Sequence, residues 1–301
     1  MYGAIIGDIV GSKYEFHNIK TKDFPFLSRG CKFTDDTVMT VAVANALLQS
    51  QAEERPFKPL LVREMQSLGR KYPRAGYGGM FSSWLHEKDL KPYHSFGNGS
   101  AMRVSPCGLI AVTIEEAVSL ARASAEVTHD HPEGIKGAEA TAAAIFLAKA
   151  GESKDSIRRF IGEHYYDLSQ TLDEIRPTYT FHSSCQKTVP QAMIAFLESE
   201  SYEDAIRNAI SLGGDSDTLA AIAGAVAWSY YRFHSPVSDR ETSKKEGRPW
   251  PASCDQIVTE YAIDSILPDA FVSTIEKLDI AAMQRAGTYA RTGACRPIPI
   301  D

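Results

Sequence analysis

Two stretches of this chain are apolar on every side. Residues 36–48 (DTVMTVAVANALL) and 217–230 (DTLAAIAGAVAWSY) carry small or apolar side chains at almost every position. A helix with that pattern has no polar face to give to water, so other elements must enclose it. A chain with two such helices has to build a core several helices deep. At 301 residues it is long enough to do so without disulfide or metal staples.

The surrounding sequence supplies more helices. Thr113 and Glu116 have the spacing of a capping box ahead of a helix to about residue 127. His131-Pro132-Glu133 reads as a helix start with proline in the first turn, running to about residue 149. Further helices are expected from Ser153 and over 187–198, 201–211, 255–266 and 269–285, with an irregular tail from Gly287. Alternating β-branched runs joined by turn dipeptides are absent, as is any regular βαβ alternation. The polar segment 234–253, with its Pro, Ser, Lys and Glu residues, reads as an exposed loop or insertion.

Charge and cysteine use exclude several functional classes. Lys plus Arg is 32 against 38 Asp plus Glu, a net of −6, so phosphate neutralisation along a nucleic acid is not what the body is built for. No apolar run approaches the ~20 residues of a membrane span. The opening MYGAIIGDIVGS has no basic start and Asp8 interrupts it, unlike a signal peptide. The cysteines, Cys31, Cys107, Cys185, Cys254 and Cys295, are odd in number and far apart. They suit a reducing cytoplasm better than a disulfide framework or a thiolate zinc site.

Both buried helices open on the same chemistry. Thr34-Asp35-Asp36-Thr37 precedes the first and Gly214-Asp215-Ser216-Asp217-Thr218 the second. One such motif reads as helix capping, since Asp, Ser and Thr are favoured there and acids suit the helix dipole. Two read differently, because capping needs one side chain rather than two acids and a hydroxyl. Buried together, those carboxylates repel unless a cation neutralises them. They are hard oxygen donors, suited to Mg²⁺, Mn²⁺ or Ca²⁺ rather than zinc, and numerous enough for two ions.

Other segments admit two readings each. Phe96-Gly97-Asn98-Gly99-Ser100-Ala101-Met102-Arg103 is either a phosphate-approaching loop or an ordinary tight turn, and it fits no Walker or dinucleotide fingerprint. His129 and His131 read as a hydrogen-bonding pair for a ligand or as a helix cap. Tyr77-Gly78-Gly79-Met80-Phe81 is a loop that can cover a ligand or simply connect two elements. Glu15, between Tyr14 and Phe16, is either a general acid or base or a surface acid.

Taken in order, GAIIGDIVGSKYEF, FTDDT, GNGSAMRV, VTHDHPEG and LGGDSDT resemble the ADP-ribosylglycohydrolase family, over roughly residues 1–230. The resemblance implies one all-α domain over 1–301, an orthogonal multi-helix bundle with a binuclear Mg²⁺ (or Mn²⁺) cleft, and C-terminal helices over 254–286. It implies metal ligation by Thr34, Asp35, Asp36, Asp215, Asp217 and Thr218, and catalysis by Glu15 and Asp36. It sets Asn98, Gly99, Ser100, His129, Gly214 and Ser216 against the substrate and gives Asp8 a supporting role. The implied reaction is hydrolysis of the C1″ glycosidic bond of an ADP-ribosylated protein side chain or a small-molecule ADP-ribose conjugate. A binuclear hydrolase of a small derivative such as O-acetyl-ADP-ribose is the alternative. Both acidic motifs are intact, which argues against the non-catalytic, crystallin-like relatives. Neither a membrane nor a nucleic acid is an expected partner.

Overall fold

The computed structural model describes residues 1–88, 90–234 and 254–301 of the protein. The loop expected over 234–253 falls, from residue 235 on, outside the described residues. The described residues hold α-helices and one short 3₁₀ turn. Their nearest approach to sheet structure is an isolated bridge between Gly97 and Ser184. None of these helices is long and apolar enough to cross a membrane.

The two all-round apolar segments are α2 (Asp35–Glu53) and α13 (Ser216–His234), and both lie in the core. What brings them together is α1 (Tyr2–Gly11), an element the apolar pattern alone did not mark. Gly3, Gly7 and Gly11 recur every four residues and so share one face of α1. That face lies against the backbone of α13. A Cβ at Gly7 would fall 2.1 Å from the Ala220 carbonyl oxygen, and one at Gly11 2.5 Å from the Asp217 Cα. At the other end, a Cβ at Gly224 would lie 2.4 Å from the Gly3 carbonyl oxygen. The helices therefore run antiparallel with their backbones in contact, and the C-terminus of α1 meets the N-terminus of α13.

The remaining helices form a shell. α3 (Phe57–Lys71) packs on α2, while α7 (Ile114–Glu126) and α8 (Pro132–Ala150) pair with each other. α11 (Cys185–Leu197) and α12 (Tyr202–Ser211) cover α13. The caps match the sequence reading at most starts: the hydroxyls of Thr113, Ser153 and Ser201 and the His131 Nδ1 each accept a first-turn N–H. At α7 the reciprocal bond is displaced by one residue. Glu116 Oε2 accepts from Val112 N–H at 2.9 Å, and Oε1 pairs with Arg285.

Two boundaries differ from expectation. The tail is helical past Gly287, because α15 (Asp269–Thr292) runs on to Gly293, whose left-handed φ of 69° ends it. One interior glycine costs only about 1 kcal/mol of helix propensity, too little to end a 24-residue helix packed on α2. The segment expected as a helix over 255–266 is α14 (Cys254–Glu260) followed by the 3₁₀ turn Ile263–Ser265, with Ala262 at φ 48° breaking the register.

The α1–α13 contact gives a direct test. Gly7→Ala forces a methyl group into backbone that cannot rotate away, and overpacking of that kind costs about 3 kcal/mol or more. Calorimetry of the variant is expected to show Tm lowered by about 5 °C or more. An unchanged Tm would show that the helices can separate without loss.

Candidate functional site

The meeting of α1, α2 and α13 places their acids at one point. Asp8, Asp36 and Asp217 are buried and offer carboxylate oxygens within 4.8 Å of one another; so do half-buried Glu15 and buried Asp215 and Asp217. The two trios share Asp217. Asp35 and Asp36 stand at the first two positions of α2, and Asp215 and Asp217 flank the start of α13. Five of the six expected metal ligands (Asp35, Asp36, Asp215, Asp217 and Thr218) line one cavity of about 560 Å³, with Glu15, Asn98, Gly99 and His129.

Among the described residues no salt bridge reaches Asp8, Asp35, Asp36, Asp215 or Asp217. Asp8 is held by Thr34 and Thr37, and the polar partners of the others are few. Thr218 donates to Asp36 Oδ2 at 3.3 Å, while the buried Asp36 Oδ1 has no partner. Asn98 Nδ2 donates to Asp215 Oδ2 at 2.8 Å and to the Thr188 hydroxyl at 3.1 Å. Burial, and then repulsion from neighbouring acids, raises the cluster. Asp35 is pushed up to about 8 and Glu15 to about 7, and Asp36 and Asp217 stand well above the carboxylate range. Asp217 is hydrogen-bonded to both Glu15 and Asp215, an arrangement that holds protons among the carboxyls or a cation in their place. An all-oxygen set of this kind fits Mg²⁺ or Mn²⁺.

The other end of the cavity is cationic or neutral. Arg103 is 1% exposed and lines the wall. Its guanidinium donates to the Ser124 carbonyl (2.6 Å) and the Thr128 hydroxyl (2.9 Å), and its Nε has no partner. Burial, with Arg103 nearby, holds His129 well below the ordinary histidine value, so the ring is neutral at physiological pH. Its Nδ1 lies 2.7 Å from the Thr128 hydroxyl. A Cβ at Gly99 would stand 3.2 Å from its Nε2, and one at Gly97 3.4 Å. The two glycines therefore make room for the histidine ring as much as for a ligand. Asn98 is the residue before α5 (Gly99–Met102), a single turn where the sequence suggested an open loop.

The structure sets four of the expected site residues behind the cavity wall. Thr34 caps α2, accepting from Asp36 N–H (3.4 Å) and donating to Asp8 (2.6 Å). Ser100 donates to the Gly134 carbonyl at 2.7 Å and Ser216 to the Gly11 carbonyl at 3.0 Å; both join helices together. Gly214 spends its N–H and C=O on Asn18. Conversely, Met39, Tyr93, Ser95, Arg103, Phe181 and Ser183 line the cavity without having been singled out. Arg103 had a signal, following the glycine motif by three residues, but a lone arginine there has no readable partner. Of the aromatic loop, Tyr77 packs on Phe81 at 5.5 Å, and Gly79 opens the short helix α4 (Gly79–Trp84) over the same cavity.

The raised carboxyls link stability to pH. The fold retains protons on Asp35 and Glu15 that the unfolded chain gives up near pH 4. Unfolding then releases protons, so the metal-free protein loses stability as pH rises from the carboxylate range through about 7 and 8. Thermal unfolding in EDTA is expected to give a lower Tm at the upper end of that window than at pH 6, with Mn²⁺ closing the gap. A Tm in EDTA that does not fall with pH would mean the acids are already ionised.

A sequence model described as ADP-ribosylglycohydrolase matches residues 1–235. The human protein named ADP-ribosylhydrolase ARH3 is 28% identical, over 76% of this chain and 83% of its own length. The ADP-ribosylarginine hydrolase Tri1 of Pseudomonas putida is 27% identical, over 77% of this chain and 69% of its own. A solved structure titled as an ADP-ribosylglycohydrolase-related protein complex superposes with a TM-score of 0.64 at 22% identity, covering 95% of each chain, which shows a shared fold. The matched region contains α1, both acidic helix starts and the glycine turn, and on that match the chain belongs to the ADP-ribosylglycohydrolase family.

Proposed function

We propose that the protein removes ADP-ribose from a modified acceptor by hydrolysing the bond at C1″ of the distal ribose, using two divalent cations. The observation that carries this reading is the pair of overlapping carboxylate trios, of which Asp36, Asp217, Glu15 and Asp215 line a cavity that a buried arginine also lines. One cation in each trio, with Asp217 shared, would account for five acids in one place. Asp35 and Thr218 complete the oxygen set. When bound, Mg²⁺ or Mn²⁺ supplies a Lewis acid and a template that orients the ribose hydroxyls and the attacking water.

The chain's own groups do the rest. Departure of the acceptor builds oxocarbenium charge on the ribose, and the carboxylates of Asp36, Asp215 and Asp217 are placed to stabilise it. Asp36 lines the cavity with an unpartnered oxygen and is the base for the water proton. Glu15 is half-buried and is raised to about 7, so it exchanges a proton near neutral pH. That fits it to protonate the leaving acceptor. The diphosphate lies toward the Gly97–Gly99 turn and Arg103, where the guanidinium meets an anion without a competing carboxylate. His129, as a neutral ring, contributes a hydrogen bond there rather than a charge.

The acceptor in this reading is a protein side chain, in keeping with the name of the relative at 27% identity, an ADP-ribosylarginine hydrolase. A panel of defined ADP-ribosylated acceptors, read out as free ADP-ribose, tests it. Release is expected from at least one modified protein, to be abolished by EDTA and restored by Mg²⁺ or Mn²⁺. Asp36→Asn and Asp217→Asn are expected to lower the rate about 100-fold or more in a folded protein. Full activity in either variant would overturn the metal assignment. Turnover of O-acetyl-ADP-ribose alone would move the acceptor to a small molecule.

A further inference from the structure

Asn18 lies three residues after Glu15, in the irregular segment between α1 and α2. Its Oδ1 accepts the Gly214 N–H at 2.7 Å, and its Nδ2 donates to the Gly214 carbonyl at 2.9 Å. The side chain thus pairs with both backbone groups of one residue, as a neighbouring strand would. The same Nδ2 donates to the Tyr14 and Glu15 carbonyls, each at 2.8 Å. One exposed carboxamide therefore joins the backbone of Glu15 to the residue before Asp215, across 196 positions of sequence.

Gly213 and Gly214 are consecutive left-handed residues, at φ 72° and 76°, and the turn belongs to no helix or strand ladder. A Cβ at Gly214 would lie 2.8 Å from the Thr180 carbonyl oxygen. Lys20 supports the same turn, its ammonium donating to the Leu212 and Tyr179 carbonyls at 2.5 and 2.6 Å. Asp215 follows directly, and the trio takes Glu15 from one side of this joint and Asp215 and Asp217 from the other.

We infer that Asn18 is a positioning residue that sets Glu15 and Asp215 relative to each other and so makes the second carboxylate trio a unit. The inference rests on the metal-centre reading above. Only a carboxamide meets the geometry, because one acceptor and one donor are required side by side. Asn18→Asp would turn a carboxylate oxygen toward three carbonyl oxygens, and Asn18→Leu would keep the bulk and lose every bond. Neither change touches the buried core.

The test needs no substrate. Free Mn²⁺ is followed by electron paramagnetic resonance as the metal is titrated into wild-type protein, Asn18→Asp and Asn18→Leu. Thermal unfolding of each is measured in EDTA. Both variants are expected to lose about tenfold or more in affinity for one of two ions. Their Tm in EDTA should stay within about 2 °C of the wild type, as for a surface change. With an ADP-ribosylated acceptor, the Mn²⁺ concentration at half-maximal rate should rise, with the rate recovering at saturating metal. Variant titrations that superimpose on the wild type would overturn the role of Asn18 and leave the metal centre standing. An equal fall in EDTA stability would make Asn18 a fold residue and likewise overturn it. A wild-type protein that binds no Mn²⁺ would overturn both readings.

Discussion

The carboxylate of Asp8 is fully buried and accepts four hydrogen bonds from another helix. The N–H groups of Thr34 and Thr37 reach it at 2.8 and 3.1 Å, and their hydroxyls at 2.6 and 2.5 Å. Thr34 is the N-cap of α2 and Thr37 the third residue of its first turn. Asp8 therefore caps α2 from outside, a task otherwise met by a residue of the helix itself. That leaves the carboxylates of Asp35 and Asp36 free of capping duty and turned to the cavity. One residue earlier, Gly7 seats α1 on α13. Adjacent positions of one short helix thus fix the starts of two others.

The cavity that results has two unlike ends. Carboxylates crowd one wall, where burial and mutual repulsion push the carboxyls up, so that they hold protons or a cation in their place. Arg103 and a neutral His129 form the other, where the guanidinium meets only neutral acceptors. Each end by itself costs the fold stability, because a buried charge without its counterpart is expensive. Together they match a ligand that brings cations to one wall and an anionic linkage to the other.

Much of this was legible beforehand. The all-round apolar runs marked α2 and α13, and side-chain caps marked the starts of α7, α8, α9 (Lys154–His164) and α12, since both are local effects. The echo of the two acidic motifs marked the cluster. Gly3, Gly7 and Gly11 stood at regular spacing in plain view, yet a glycine stripe takes on meaning only against a partner backbone. Arg103 had only its place after the glycine motif and Asn18 had no signature, as the partners that matter lie 21 to 25 and 196 residues away respectively. Ser100 and Ser216 sat inside matching motifs, but their hydroxyls join helices rather than line the cavity.

The sequence by itself determined that this chain is helical, that two of its helices must be buried, and that each begins with a surplus of acid beyond what a cap requires. These follow from side-chain periodicity and from the orphan N–H groups of a helix start, which neighbours in sequence can satisfy. Tertiary structure alone decided that the two acid sets face each other, which acids share a trio, and which hydroxyls turn away. Those outcomes depend on how closely two backbones approach and on which distant group fills each hydrogen bond. Both are set by packing between elements far apart in the chain.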